Sequence, residues 1–166
     1  MEFGSTTIKQ INFVVKYLDK IVKGWTKLTG RGPEMEYYIP PFDKVPAFTD
    51  GIPEECSDVK TAKFKINDKE VFSPITLAFW QPREAKTPWR KHLDKYGEGF
   101  MDIEFTVSNL DKAYEFIGEK PYHKGYYSSY IYSLAHTKDM HGTDLNIGQL
   151  SDNRELLNEL KKKYNR

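Results

Sequence analysis

Two carboxylates stand two positions apart in one apolar stretch of the sequence. Asp102 and Glu104 alternate with Met101, Ile103 and Phe105, and this period of two is typical of a β-strand. Side chains two positions apart on a strand share a face, with roughly 6 to 7 Å between their α-carbons at a rise of about 3.3 Å per residue. Repulsion and burial together would raise one of the two pKa values and make that group a general acid or base. The alternative is that both carboxylates are solvated and pair with lysines.

The same alternation recurs in three other segments and selects a second set of side chains. If the apolar residues of each segment face a core, the residues between them face the opposite side of the sheet. These residues are Gln10, Asn12, Val14, Thr76, Ala78, Trp80, Asp144 and Asn146. The parity therefore predicts an unusually polar sheet face, which is either a solvated surface or the wall of a concave cleft.

Amide and hydroxyl groups on such a face would donate hydrogen bonds to a developing oxyanion. A tyrosine-rich segment, residues 126–134, predicts a further strand that includes Tyr130. Its tyrosines and Trp80 are compatible with a wall for a flat ligand, or alternatively with ordinary core packing. We therefore take Gln10, Asn12, Thr76, Trp80, Tyr130, Asp144 and Asn146 as candidate ligand-binding residues.

An internal repeat organises these segments. Residues 11–21 match residues 103–113, with Ile, Phe, Val, Leu, Asp and Lys recurring in register, and residues 77–81 match residues 145–149. Two sequence matches in the same order suggest a duplicated unit. In each unit a strand leads into a helix, where the apolar period changes to 3.6. We expect one helical face to carry Ile21, Trp25 and Leu28 before Gly30, and the other Ala113, Phe116 and Ile117 before Gly118.

The remaining pattern predicts the connecting elements. Further strands are expected at residues 34–38, 59–66, 75–81 and 143–147, and a terminal amphipathic helix after Asp152. Between the two units, Thr87 and Pro88 predict the start of a helix and Gly97 predicts its end. Residues 39–57, with four prolines, predict a long loop that is a natural lid or site wall.

Several of these segments resemble the glyoxalase, or vicinal-oxygen-chelate, superfamily, and especially its methylmalonyl-CoA epimerase-like members. The resemblance lies in residues 8–15 with 18–20, 97–105, 79–82 and 142–147. It implies an α+β fold in which paired β-α-β-β-β modules form a cup-shaped mixed sheet, with helices outside and an added C-terminal helix. The implied organisation is one domain, 8–149, of modules 8–82 and 100–149 joined by a helix at 87–97, followed by a helix at 151–166. Residues 1–7 are read as a tag remnant or a disordered segment.

Members of this superfamily commonly bind one divalent metal through one residue from each of four strands. Carried onto this sequence, those positions are Gln10, Ala78, Asp102 and Asn146. Alanine has no donor atom, and Asp102 and Asn146 stand where the family usually has His and Glu. The expected cofactor is therefore either none or one divalent metal, a hard ion held by oxygen ligands from Gln10, Asp102 and Asn146.

The resemblance implies an isomerase or lyase that moves a proton next to a carbonyl or similar group, with Asp102 or Glu104 as the base. The alternative is a non-catalytic small-molecule binding or resistance protein of the same fold. Because many relatives are dimers, a homodimer is a further candidate state.

Composition limits the other partners. The 166 residues carry a net charge of +1, with a pI near 7.7, which argues against nucleic acid as a partner. The sequence contains no run of apolar residues long enough to cross a membrane and no signal peptide. The single cysteine, Cys56, cannot form an internal disulfide, so we expect a reducing, cytoplasmic location.

Overall fold

The structure is a computed structural model that describes residues 3–5, 7–66 and 75–164. Along this part of the chain run ten strands and five helices. They are β1 (Ile8–Val14), α1 (Leu18–Thr29), β2 (Met35–Tyr38), β3 (Ala47–Thr49), β4 (Ile52–Glu54), β5 (Lys60–Ile66), β6 (Ile75–Gln81), α2 (Pro88–Tyr96), β7 (Gly99–Val107), α3 (Leu110–Ile117), β8 (His123–Tyr127), β9 (Tyr130–Ala135), α4 (Lys138–His141), β10 (Asp144–Leu150) and α5 (Arg154–Tyr164).

The strands form one mixed, curled sheet with the order β2-β5-β6-β1-β7-β10-β9-β8-β3-β4. In the first half β1 runs parallel to β6, and in the second half β7 runs parallel to β10 in the same way. The antiparallel pair β1 and β7 joins the halves at the centre of the sheet. The duplicated unit predicted from the sequence is thus visible in the topology, and the α+β fold of paired modules is confirmed.

Two apolar clusters lie between the convex side of the sheet and its helices. Trp25 on α1 packs against Phe64 and Phe79, and α3 packs against the strand residues Leu145 and Ile147. The prediction that the alternate apolar residues of β6 and β10 face the helices is therefore confirmed.

Two helix residues expected on these buried faces are exposed instead. Leu28 is 75% exposed because it lies in the last turn of α1, beyond the aromatic contacts of Trp25. Phe116 is 46% exposed because Tyr114 occupies the core position on α3, where its hydroxyl hydrogen-bonds with Ser133 over 2.7 Å.

The segment 39–57 is not simply a long loop, because it contains the β3–β4 hairpin. Its turn has Asp50 and Gly51 at φ values of 52° and 78°, the left-handed conformations that a tight hairpin turn of type I′ requires. Ala47 on β3 pairs with Gly125 on β8. The first module therefore reaches across to the outer edge of the second and closes that side of the cup.

The concave side of the sheet carries an apolar cluster beside its polar side chains. It holds a third cluster, to which residues 39–59, called the crossing segment below, contribute Ile39, Val45, Ala47, Cys56 and Val59. The strands and α2 supply the rest, namely Val14, Ala78, Trp80, Trp89, Met101, Tyr132 and Leu134. The polar side chains expected on this face are present and buried, namely Gln10, Asn12, Asp102, Glu104 and Asn146, and the crossing segment fills much of the remaining cup with apolar side chains.

Two further predictions concern single elements. The strand expected at 126–134 is a hairpin, since Ser128 and Ser129 form the turn between β8 and β9. The helix start at Thr87 is confirmed, because the Thr87 hydroxyl accepts a hydrogen bond from the Arg90 backbone N–H over 3.3 Å. No helix in the described part of the chain has the length and apolar character needed to span a membrane.

Candidate functional site

A small cavity of about 70 Å³ lies inside the cup. Five of its lining residues are among those selected from the sequence, and they come from five strands: Gln10, Trp80, Glu104, Tyr130 and Asn146. The other lining residues are Tyr37, Ile39, Lys63, Trp89, Tyr127 and Tyr132. The cavity is where the two modules and the crossing segment meet.

Strand register explains why some selected residues reach the cavity and others do not. Glu104 lies opposite Gln10 on one side and opposite Asn146 on the other, so these three form one row across the sheet. Asp102 belongs to the next row, where it lies opposite Asn12 on β1 and opposite Asp144 on β10. The first row faces the cavity, while Asn12 and Asp102 lie behind it, each 1% exposed.

A buried hydrogen-bond network connects the two rows through Asn12. The Asn12 side-chain oxygen accepts from Gln10 Nε2 over 2.6 Å and from Trp80 Nε1 over 2.8 Å. The Asn12 amide nitrogen donates to Asp102 Oδ1 over 2.6 Å. Because both ends of the amide are engaged, Asn12 fixes the orientation of Gln10 and Trp80 at the cavity wall.

The two carboxylates differ in what surrounds them. Burial raises the pKa of Asp102 to about 8, and the charges of Glu104 and Asp144 act in the same direction. Burial also raises the pKa of Glu104, although the Lys63 ammonium and the Tyr130 hydroxyl, which donates over 2.7 Å, oppose that shift. Burial is thus the main cause of both shifts, and repulsion from Glu104 is a secondary cause for Asp102. Glu104 alone of the two lines the cavity.

Lys63 is a cavity residue that the sequence reasoning missed. Its ammonium nitrogen lies 5.3 Å from the ring centroid of Trp80 and 5.9 Å from that of Tyr37, within the range of a cation–π contact. The sequence pattern did indicate this position, because Lys63 alternates with the buried residues Ala62 and Phe64 on β5. The same parity rule that selected Gln10 would have placed Lys63 on the concave face.

Two glycines leave room for the tyrosines that point into the cup. A β-carbon at Gly148 would lie 1.6 Å from the Tyr130 hydroxyl oxygen, and one at Gly125 would lie 2.1 Å from a ring carbon of Tyr132. Both distances are far below van der Waals contact. The absence of a side chain at each glycine therefore lets the neighbouring tyrosine ring lie across the strand.

The remaining two candidate residues, Thr76 and Asp144, line two different grooves. Thr76 lines a groove of about 550 Å³ that shares Gln10 and Lys63 with the cavity, so the groove adjoins it. Asp144 lines a separate groove of about 460 Å³. One of its oxygens accepts a hydrogen bond from the Thr137 backbone N–H over 3.1 Å.

The donor set does not fit the divalent metal of the superfamily. Ala78 offers no ligand, and Asp102 Oδ1 is already bonded to Asn12. In the described part of the chain, no three His, Cys, Asp or Glu side chains converge as a metal-binding group. Of the four family positions, only Asn146 has a buried side-chain oxygen left without a partner among the described residues. Any chemistry in this cavity is therefore assigned to the chain's own residues.

Comparison with known proteins supports the fold. No protein-family model matches the chain, and no curated protein does. Among solved structures, a variant of the Streptomyces coelicolor methylmalonyl-CoA epimerase, in complex with 2-nitronate-propionyl-CoA, is similar at a TM-score of 0.61 and 21% identity, covering 88% of this chain and 98% of that one. The Mycobacterium tuberculosis methylmalonyl-CoA epimerase is similar at a TM-score of 0.59 and 16% identity, covering 90% and 91%.

A hypothetical protein from Bacillus halodurans is also similar, at a TM-score of 0.60 and 12% identity, covering 87% of this chain and 94% of that one. Methylmalonyl-CoA epimerases are members of the glyoxalase superfamily. The fold expected from the sequence resemblance, the cup-shaped sheet of that superfamily, is therefore confirmed.

Proposed function

We propose that the protein is an isomerase of the glyoxalase type that moves a proton at the carbon next to a carbonyl group of a small anionic acid or thioester. The observation that carries the proposal is Glu104, a buried carboxylate that lines the cavity. Its pKa is raised by burial. A carboxylate whose pKa lies closer to neutrality is a better general base than a solvated one.

The chemistry can be assigned to three side chains. The proton leaves the substrate carbon for the Glu104 carboxylate, and negative charge develops on the neighbouring carbonyl oxygen. In the superfamily a metal commonly supplies the opposing positive charge. Here the Lys63 ammonium lines the same cavity and is the group that would stabilise that oxygen. The unpartnered oxygen of Asn146 would accept a hydrogen bond from an N–H or O–H group of the ligand.

Cavity size favours an acyl or carboxyl end over a ring. The volume of about 70 Å³ is less than half of the roughly 150 Å³ in which an engineered apolar cavity binds benzene. A reactive end of a few non-hydrogen atoms fits this space. The rest of the substrate would lie in the adjoining groove that shares Gln10 and Lys63.

Charge in that groove favours an anionic substrate. Its charged lining residues are Lys9, Lys63, Lys65 and Glu34, which leaves an excess of positive charge. Lysines beside an open groove raise the local concentration of anions and become less effective as salt increases. The fold shared with methylmalonyl-CoA epimerases, one of which is in complex with methylmalonyl-CoA, supports a thioester as the first compound to test.

Replacing the proposed base tests this function. Solvent deuterium incorporation into methylmalonyl-CoA, followed by proton NMR in D₂O, should occur with the wild type and fall by about 10²-fold or more in Glu104→Gln. The matched control is Glu159→Gln, an exposed glutamate on α5, which should leave the rate unchanged. Equal rates in the wild type and Glu104→Gln would rule out Glu104 as the base.

A second candidate function is ligand binding without turnover. It is favoured by the aromatic lining of the cavity, where Trp80 stacks on Trp89 with ring centroids 5.1 Å apart and tyrosines complete the wall. A binder would show a saturable change in tryptophan fluorescence with methylmalonyl-CoA and no deuterium incorporation. An isomerase would show both.

A further inference from the structure

Four side chains form a hydrogen-bonded chain from the cavity to the protein surface. Tyr132 lines the cavity, and its hydroxyl oxygen lies 3.3 Å from Nε2 of His123. On the other side of the ring, His123 Nδ1 lies 2.8 Å from the Thr49 hydroxyl oxygen. The Thr49 hydroxyl in turn bonds with the Glu54 carboxylate. His123 has no exposed surface, whereas the Glu54 side chain is 15% exposed.

The direction of each hydrogen bond follows from the chemistry of the groups. An ionised carboxylate only accepts, so the Thr49 hydroxyl donates to Glu54 and its oxygen accepts from His123 Nδ1–H. A neutral imidazole carries one N–H, so Nε2 is left without a proton and accepts from the Tyr132 hydroxyl. All three protons therefore point from the cavity toward Glu54.

The surroundings agree with these protonation states. Burial lowers the pKa of His123, which favours the neutral ring, although the nearby Glu54 charge opposes the shift. Burial acts to raise the pKa of Glu54, but the nearby His123 ring and the Thr49 hydroxyl outweigh it and lower that pKa, which favours the carboxylate. The other groups that face His123 are the Lys91 ammonium from α2, the Tyr132 hydroxyl from β9 and the edge of the Trp89 ring.

We propose that Tyr132 is a second proton-exchanging group of the cavity and that His123, positioned by Thr49 and Glu54, relays its proton. The proposal rests on the proposed function and adds a partner to Glu104. An isomerase that inverts a carbon centre needs one group to remove a proton and another to return one, and these two groups come from β7 and β9 of the same cavity.

The step balances without a further reactant. The substrate C–H bond breaks and its proton joins the Tyr132 oxygen, while the proton already on Tyr132 moves to Nε2 of His123. The imidazolium so formed faces the Glu54 carboxylate, whose nearer oxygen lies 3.4 Å from Nδ1. Protonated Glu104 then gives its proton to the carbanion. In the opposite direction Glu104 removes the proton, and the imidazolium returns one through Tyr132.

The same contacts could serve only to pin the β3–β4 hairpin to β8, so the test needs a readout that packing alone would not change. Tyr132→Phe removes only the hydroxyl. Its matched control is Tyr114→Phe, since Tyr114 is also buried and its hydroxyl bonds with Ser133 in the core under the helices, away from the cavity.

The first readout is the nitrogen NMR spectrum of the imidazole in full-length, uniformly ¹⁵N-labelled protein at neutral pH. We expect His123 as the Nδ1–H tautomer, with an Nε2 resonance that shifts in Tyr132→Phe and stays in place in Tyr114→Phe. An Nε2–H tautomer, or an Nε2 resonance insensitive to Tyr132→Phe, would overturn the relay.

The second readout is the epimerisation of a single epimer of methylmalonyl-CoA, followed by circular dichroism beside solvent deuterium incorporation, because exchange alone needs only Glu104 whereas inversion needs both groups. Tyr132→Phe should lower kcat by about 10²-fold or more and leave KM within about threefold. It should also remove one limb of the pH profile of kcat. Tyr114→Phe should change none of these three quantities. A wild type that leaves the compound undeuterated contradicts the proposed function itself. An active wild type whose Tyr132→Phe variant keeps its kcat and both limbs contradicts the relay alone.

Discussion

Asp102 and Glu104 occupy consecutive inward positions of β7, yet their surroundings assign them different work. Glu104 lines the cavity and accepts a hydrogen bond from the Tyr130 hydroxyl, and the charge of Lys63 acts to lower its pKa. Asp102 is sealed behind Asn12, where its oxygen accepts the Asn12 amide. We therefore place proton transfer on Glu104 and consider Asp102 a structural group that holds the polar network behind the cavity wall.

This assignment predicts the pH dependence of stability. The folded protein keeps the Asp102 proton up to a pKa of about 8, whereas an unfolded aspartate loses it near pH 3.9. Between these values the folded state binds more protons, so stability falls as pH rises. Between about pH 6 and about pH 8 this effect should lower the free energy of unfolding of the wild type by on the order of 2 kcal/mol. Asp102→Asn should abolish that loss, as measured by urea unfolding at each pH.

The comparison for this prediction is Asp139→Asn, an exposed aspartate on α4, which should keep the slope of the wild type. If Asp102→Asn and the wild type lose the same free energy of unfolding over that interval, Asp102 ionises in the folded protein as it does in the unfolded chain.

Strand parity was enough to place most of the candidate residues. Gln10, Glu104 and Asn146 are on one face because each occupies an alternate strand position, and strand register aligns them in one row. The same rule could not show that Asn12 and Asp102 would be covered. Their cover comes from Trp80, Trp89 and the crossing segment, whose position depends on contacts between distant parts of the chain.

At the level of elements, the β3–β4 hairpin is the feature that sequence patterns could not supply. Its two strands have three residues each, one of them includes Pro53, and its partner β8 lies more than seventy residues further along. Local propensity carries little information about such a pairing. The crossing segment that contains the hairpin adds Ile39 to the cavity lining.

The close contact between β9 and β10 gives a prediction at this scale. Gly148→Ala would force the Tyr130 hydroxyl away from its present place, since the added carbon would lie 1.6 Å from it. We expect a loss of about 1 to 3 kcal/mol in the free energy of unfolding, as for other overpacked cores, together with a changed fluorescence of the nearby tryptophans.

Gly24→Ala is the control, because Gly24 lies within α1 and a β-carbon there meets no atom within 4 Å. That substitution should leave the protein as stable or up to about 1 kcal/mol more stable. Equal stability of Gly148→Ala and the wild type would show that Tyr130 moves freely and does not hold Glu104.

For the whole molecule, both modules supply side chains to the cavity. The two modules meet along β1 and β7, and the first module also covers the edge of the second through β3. A homodimer and a cytoplasmic location stay predictions. The division into modules 8–82 and 100–149 likewise stays a proposal, to which the crossing hairpin adds a contact between the two.

The proposed chemistry depends on the substrate's reactive carbon entering the cup and meeting Glu104. The most direct measurement is a crystal structure of the wild type grown with 2-nitronate-propionyl-CoA, the compound held by similar epimerases, at a concentration that saturates the tryptophan fluorescence change. We expect density for its acyl end between Gln10, Glu104 and Asn146, with the remainder in the groove beside Lys63. Ordered water alone in the cavity, with the compound bound elsewhere on the protein, would contradict this placement of the substrate.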